Sequence, residues 1–189
     1  MVAIDDKIYI QKVLEGDTSS FTHLVDKYKD MVFTVCYRIL RQQEDAEDVA
    51  QEVFIKAFNN LFSFKGDSKF STWIYTIAYR TAINKSKLKK NQVELGEFQV
   101  DISESEKMPQ LEELKSQEQT FYVQQAIEML PELDGVVITL YYIDDCSIKE
   151  IIEITKLSEA NVKVKLHRAR KQLKQNLEGL LKQELKSIV

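Results

Sequence analysis

A chain of 189 residues, 44% hydrophobic and 30% charged, holds enough apolar material to bury a core in one domain or two small ones. Five glycines and two prolines leave few places for tight turns, which argues against a fold of many short strands and favours long helices. The formal net charge of −4 argues against a uniformly basic nucleic-acid binder, but the charge is sorted into blocks of opposite sign.

In chain order, the first clear element runs from about Phe21 to Leu40. There Phe21, Leu24, Val25, Tyr28, Val32, Val35 and Ile39 recur at helical spacing. A second helix follows, with Ala46, Val49, Ala50, Val53, Phe54, Ala57, Phe58 and Leu61 drawing one apolar stripe down the cylinder. The loop from Phe62 to Phe70 contains Gly66. Ser71 then suits an N-cap, with Phe70 stapled to Tyr75 across it, and a third helix is expected from Thr72 towards Lys90.

After Asn91 the character changes. Glu94, Glu97, Asp101, Glu104, Glu106, Glu112 and Glu113 face only Lys107 and Lys115, with weak periodicity. This composition predicts an acidic flexible linker over 93–116. Helical patterning resumes around Phe121 to Leu130, and Pro131 suits the first position of a helix carrying Val136, Val137, Leu140 and Tyr141. Asp144 and Asp145 break it. Ser147 caps a short helix with Ile148, Ile151 and Ile152, and Ser158 caps a last long helix to about Leu181. The expected fold is therefore all-α: two small helical domains, 1–92 and 117–189, joined by the linker, the second containing a helix-turn-helix.

Cys36 and Cys146 lie in or beside apolar stretches without a partner at metal-ligand spacing. Two buried, reduced thiols in a cytoplasmic protein are the reading, with no metal and no cofactor. No basic-then-apolar leader opens the chain, and no apolar run approaches the roughly 20 residues that span a bilayer. Cytoplasmic location without membrane insertion is the expectation. Two distant histidines, no phosphate-binding glycine loop and no nucleophile elbow argue against an enzyme.

The stretch SIKEIIEITKLSEANVKVKLHRARKQLK gives a short helix, a tight turn and a longer basic helix. Val162, Leu166, Ala169 and Leu173 fall on one face. Asn161, Lys163, Lys165, His167, Arg168, Arg170, Lys171 and Lys174 cover the rest. A helix apolar behind and cationic in front fits the major groove of DNA. The second helix of the chain has the opposite polarity: Glu44, Asp45, Glu47, Asp48, Gln51 and Glu52 face outward. Such a face either suits the helix dipole or docks on a basic protein surface, and sequence physics leaves both open. Between them, from Ser68 to Val93, there is no acid, while aromatics alternate with Lys69, Arg80, Lys85, Lys87, Lys89 and Lys90. Rings that stack on bases and cations that follow a backbone suit single-stranded DNA, although Trp73, Ile74, Ile77 and Ala78 also fit an ordinary core stripe.

KEIIEITKLSEANVKVKLHRARKQL resembles the promoter-binding region four of extracytoplasmic-function (ECF) sigma factors, which reads the −35 element. The resemblance implies base contacts from Asn161, Lys163, Val164, His167 and Arg168, and phosphate contacts from Lys165, Arg170 and Lys171. Lys156 stands where many relatives place a glycine at the turn. DAEDVAQEVFIKAF is similar to the segment by which these factors grip the clamp of core RNA polymerase. This implies docking through Asp45, Glu47, Asp48, Gln51 and Glu52.

The segment from Phe64 to Lys90 resembles region two, which recognises and melts the −10 element. That likeness implies a flipped base cradled by Phe64, Lys65, Gly66, Asp67, Ser68 and Lys69, and strand contacts from Thr76, Arg80, Asn84 and Lys87. Arg80 stands where relatives usually have asparagine, and Asn84 where they usually have aspartate, which bears on the −10 sequence rather than on the activity. The resemblance further implies an anti-sigma partner, and a linker that threads channels of the polymerase, whereas the residues alone favour a plain solvated tether. A regulator that binds a symmetric duplex without polymerase is the competing reading.

Overall fold

The computed structural model describes residues 5–90 and 117–188, and every regular element among them is helical. The chain divides into two compact units, one built around the N-terminal helices and one around the C-terminal helices. The expected linker, 93–116, lies outside the described residues.

The first unit holds α1 (Asp6–Leu14), α2 (Phe21–Leu40), α3 (Gln43–Asn59) and α4 (Phe70–Lys90). α2 packs on both α3 and α4, which also pack on each other. The predicted stripe of α2 is its buried face, with Leu24, Tyr28, Val32, Val35 and Ile39 all withdrawn from solvent. α3 buries Ala46, Val49, Ala50, Val53 and Ala57, and α4 buries Ile74, Tyr75, Ala78 and Ala82. Each large aliphatic side chain so buried contributes about 1.5–3 kcal/mol. Phe58 departs from the expected stripe: it is exposed at the end of α3, where its ring meets Phe21 edge-on.

Two features of this unit differ from the sequence reading. α1 was not expected; five of its nine residues are apolar, yet only Ile10 is buried, and Ile8 and Leu14 stay exposed. It is held by polar contacts: Asp5 caps it by accepting from the Lys7 backbone N–H at 3.1 Å, and Asp6 pairs with Lys27 of α2 at 2.6 Å. α4 begins at Phe70, ahead of the expected Ser71 cap, with the Trp73 N–H donating to the Lys69 carbonyl at 3.2 Å. The cause is aromatic. Phe70 packs on Tyr28, Phe64 and Trp73, and burying that ring draws the first turn forward.

The second unit holds α5 (Gln117–Glu128), α6 (Glu132–Tyr142), α7 (Ile148–Thr155) and α8 (Glu159–Ile188). Its core gathers Ala126, Ile127 and Leu130 with Ile138 of α6 and Ala169 and Leu173 of α8. The buried amide of Asn176 donates to the Ala126 carbonyl at 3.0 Å, which satisfies an orphan acceptor in the last turn of α5. Pro131 sits one position earlier than expected, as the N-cap of α6, its carbonyl accepting from the Gly135 N–H at 2.9 Å. α8 runs beyond the expected Leu181 to Ile188.

Ser147 starts α7 with a reciprocal cap. The Glu150 carboxylate accepts from the Ser147 backbone N–H at 2.8 Å, and the Ser147 hydroxyl accepts from the Glu150 N–H at 3.3 Å. Ser158 caps α8 by accepting from the Asn161 N–H at 3.2 Å. Between them the turn passes through Lys156 at φ 60°, so the left-handed position that suits glycine is filled by a lysine. Lys156→Gly removes the Cβ strain but frees the unfolded chain. The expected result is a gain in unfolding free energy of less than about 1 kcal/mol, read by denaturant titration.

Candidate nucleic-acid interface

α8 presents most of the cations singled out in the sequence. Val162, Leu166, Ala169 and Leu173 are buried, which fixes the helix by its back. Asn161, Val164, Arg168 and Lys171 follow at steps of three and four along the outward side, while Lys163 and Arg170, seven apart, share a neighbouring stripe. Asn161, Lys163, Arg168 and Lys171 are exposed; Val164, Lys165, His167 and Arg170 are half-buried.

Several of these cations are held by neighbours that sequence reasoning missed. Arg168 lays its fork on Asp134 of α6, Nε donating to one carboxylate oxygen at 2.7 Å and Nη2 to the other at 3.0 Å. Lys165 joins the same carboxylate at 3.1 Å. Asp134 is buried, its side chain 1% exposed, whereas that of Arg168 is 44% exposed. Its hydrogen bond to Asp134 raises the Arg168 pKa above the ordinary value. Arg170 donates to the Tyr142 hydroxyl at 2.8 Å and lies against the rings of Tyr141 and Tyr142. Lys163 makes an exposed pair with Glu159 at 2.7 Å, and that hydrogen bond holds the Glu159 carboxyl below its usual range. Asp134 carried one sequence signal, an acid in the first turn of a helix, and nothing local ties it to Arg168.

In the first unit the loop before α4 borders a cleft of about 460 Å³. Phe64, Gly66, Ser68 and Lys69 of the predicted loop line it; Lys65 and Asp67 are exposed outside the lining. Gly66 makes the bend at φ 77°, a conformation that side chains resist. Phe64 is propped by Phe70 and Trp73, with ring centroids 5.5 and 5.4 Å away. The opposite wall was missed: Tyr28 and Lys27 of α2 and Asp6 of α1, brought in by contacts across more than 20 residues of sequence. Along α4, Thr76, Arg80, Asn84 and Lys87 fall at steps of four, four and three. The last three are exposed. Thr76 is half-buried, its hydroxyl donating to the Thr72 carbonyl at 2.8 Å.

The acidic set on α3 lies at the surface. Glu47, Asp48, Gln51 and Glu52 are exposed and Asp45 is half-buried. Glu47 accepts from Gln43 at 2.9 Å, and Glu52 pairs with Lys56 at 2.6 Å. The acids continue into exposed apolar residues, Ile55 at 61% and Phe62 at 76% exposure, which sequence reasoning had not marked. Cys36 and Cys146 are buried thiols. Burial, with Glu52 adding its charge, pushes the Cys36 thiol up to about 12.

Among the described residues no helix is long and apolar enough to cross a membrane. Residues 24–92 match the family described as Sigma-70 region 2, and residues 120–173 match Sigma-70, region 4. The chain is 36% identical to the ECF RNA polymerase sigma factor SigW of Bacillus subtilis (strain 168), over 90% of this chain and 96% of that one. It is 32% identical to the ECF RNA polymerase sigma-E factor of Escherichia coli (strain K12), over 95% and 97%. In fold it is similar to the sigma factor RpoE solved with the anti-sigma factor NepR from Bartonella quintana, at a TM-score of 0.63 and 20% identity over 84% of this chain and 96% of that one. It is likewise similar to CnrH solved with the cytosolic domain of CnrY, at a TM-score of 0.61 and 19% identity over 92% and 97%. Two family matches in the expected order, with relatives this similar from end to end, establish that the chain belongs to the ECF RNA polymerase sigma factors.

Proposed function

We propose that three surfaces divide the work of promoter-specific initiation between them. The acidic face of α3, through Asp45, Glu47, Asp48, Gln51 and Glu52, docks on core RNA polymerase. The cleft between the Phe64–Lys69 loop and α2 takes a base that has left the duplex at the −10 element, with Arg80, Asn84 and Lys87 following the strand. The outward side of α8 reads the −35 element. The chain acts as a non-catalytic initiation factor in the cytoplasm and is restrained by an anti-sigma partner, as suggested by the sigma factor RpoE solved with the anti-sigma factor NepR.

The observation that carries this reading is the polarity of the exposed faces. An acidic helix face repels DNA and suits a protein, while a cationic helix fixed by its apolar back suits the major groove. An aromatic-walled cleft with cations at its rim suits one unstacked base. Stacking contributes about 1–3 kcal/mol per base, comparable to the few kcal/mol needed to unstack it, so capture needs no fuel.

The test is substitution on α8. In holoenzyme, Lys163→Ala costs about 1–3 kcal/mol on the preferred −35 sequence and little on an altered one, if the ammonium reads a base edge. An equal loss on every sequence makes Lys163 a phosphate contact instead. No loss on any sequence removes α8 from the interface.

A further inference from the structure

The guanidinium of Arg168 has five N–H donors in a rigid plane. Asp134 uses the side edge of that plane, taking Nε and Nη2 at 2.7 and 3.0 Å. The end-on edge, made of Nη1 and the second hydrogen of Nη2, is left for another acceptor pair. Two parallel N–H groups at that spacing match O6 and N7 of guanine, the commonest specific contact of arginine in the major groove. Asp134 itself is buried in the first turn of α6, the helix against which α8 packs, so it forms a fixed mount. Arg168 remains 44% exposed and lies on the same outward stripe as Asn161, Val164 and Lys171. Lys165, bonded to the same carboxylate, brings a second positive charge that balances the buried acid.

The other cations of the helix are held differently. Lys163 pairs with Glu159 in a fully solvated contact, and an ammonium has no planar fork to aim. Arg170 rests on tyrosines, with a single bond from its Nε to the Tyr142 hydroxyl where a carboxylate would take both donors of that edge.

We propose that Asp134 is a positioning residue for DNA recognition: it clamps Arg168 by one edge, so that the other edge reads a guanine in the −35 element. The inference rests on the assignment of α8 to that element. A clamped arginine loses little rotamer freedom on binding, and a misplaced fork is rejected by the mount, so the gain is in discrimination at one base pair more than in overall affinity.

The experiment uses holoenzyme assembled from core polymerase and the full chain, on a promoter pool with a randomised −35 element. Base preference is read at each position from bound and transcribed templates. Wild type is expected to prefer guanine about tenfold or more at one position. Arg168→Ala removes that preference and leaves the others. Asp134→Asn, which keeps the shape but not the charge, removes most of it at the same position, and the double variant loses no more than either single one. Arg168→Lys keeps the charge pair but not the fork, and also loses the guanine preference; it tests the idea even if Asp134→Asn folds poorly.

An Asp134→Asn profile that is unchanged, or reduced equally at every position, overturns the clamp and leaves Asp134 as a tie between α6 and α8. Retained guanine preference with Arg168→Lys overturns it too. If wild type shows no −35 preference at all, the reading of α8 fails first, and the clamp with it.

Discussion

Replacing Asp48 and Glu52 together by lysine is expected to abolish co-elution with core RNA polymerase on gel filtration while leaving the fold intact. Both side chains are exposed on α3; Glu52 pairs with Lys56 at the surface and acts on the buried Cys36 thiol only by its charge. Exposed pairs of this spacing are worth about 0.3–0.5 kcal/mol, so the helix tolerates the change. The charge of the face, by contrast, swings by four units. A basic partner that was attracted is then repelled, and juxtaposed like charges cost several kcal/mol at an interface. Unchanged thermal unfolding with lost co-elution is the predicted pair of results. Undiminished binding would move the docking surface away from α3, and the exposed Ile55 and Phe62 would be the next residues to test.

Phe64→Ala is expected to slow promoter opening by about 5- to 150-fold, the equivalent of about 1–3 kcal/mol of lost base stacking. The readout is the reactivity of unpaired thymines near the −10 element in holoenzyme complexes. Phe64 is half-buried, with its ring tilted on Trp73 and edge-on to Phe70, so truncation also loosens the loop. Phe64→Leu separates the two effects. Leucine restores much of the apolar volume but has no π-face, so a stacking role leaves opening slow and a packing role restores it. Core binding stays unchanged in both variants, because α3 is untouched. Opening at the wild-type rate in Phe64→Ala would show that the cleft does not hold a base.

Much of this was legible in the sequence, and what was hidden has a common cause. The stripe of α2 and the apolar back of α8 were read correctly because a buried helix face repeats every three or four residues, and that period is visible without knowing the partner. Caps at Ser147 and Ser158 were legible for the same reason: their partners lie three residues away. α1 was missed although five of its nine residues are apolar, because its anchors on α2, Asp6 to Lys27 and Tyr9 to His23, lie far along the chain. The early start of α4 was missed because the Phe70 ring is held by Phe64 and by the distant Tyr28. Asp134 and Arg168 are 34 residues apart, and nothing in the local pattern announces that they meet.

The site divides along the same line. The residue types and faces of α3, α4 and α8 could be chosen from sequence, but the far wall of the cleft and the mounts of the arginines belong to tertiary structure. Lys156 stands between the two cases. Its departure from glycine was visible, and the structure adds that the left-handed turn is kept regardless, at φ 60°.

The most direct test of the account is to mix the purified chain with bacterial core RNA polymerase, isolate the complex and transcribe a pool of genomic fragments. The account predicts a stable complex whose run-off transcripts share two upstream elements at fixed spacing, while the chain without polymerase binds the same fragments weakly. A chain that ignores core polymerase yet binds duplex DNA tightly by itself would contradict it.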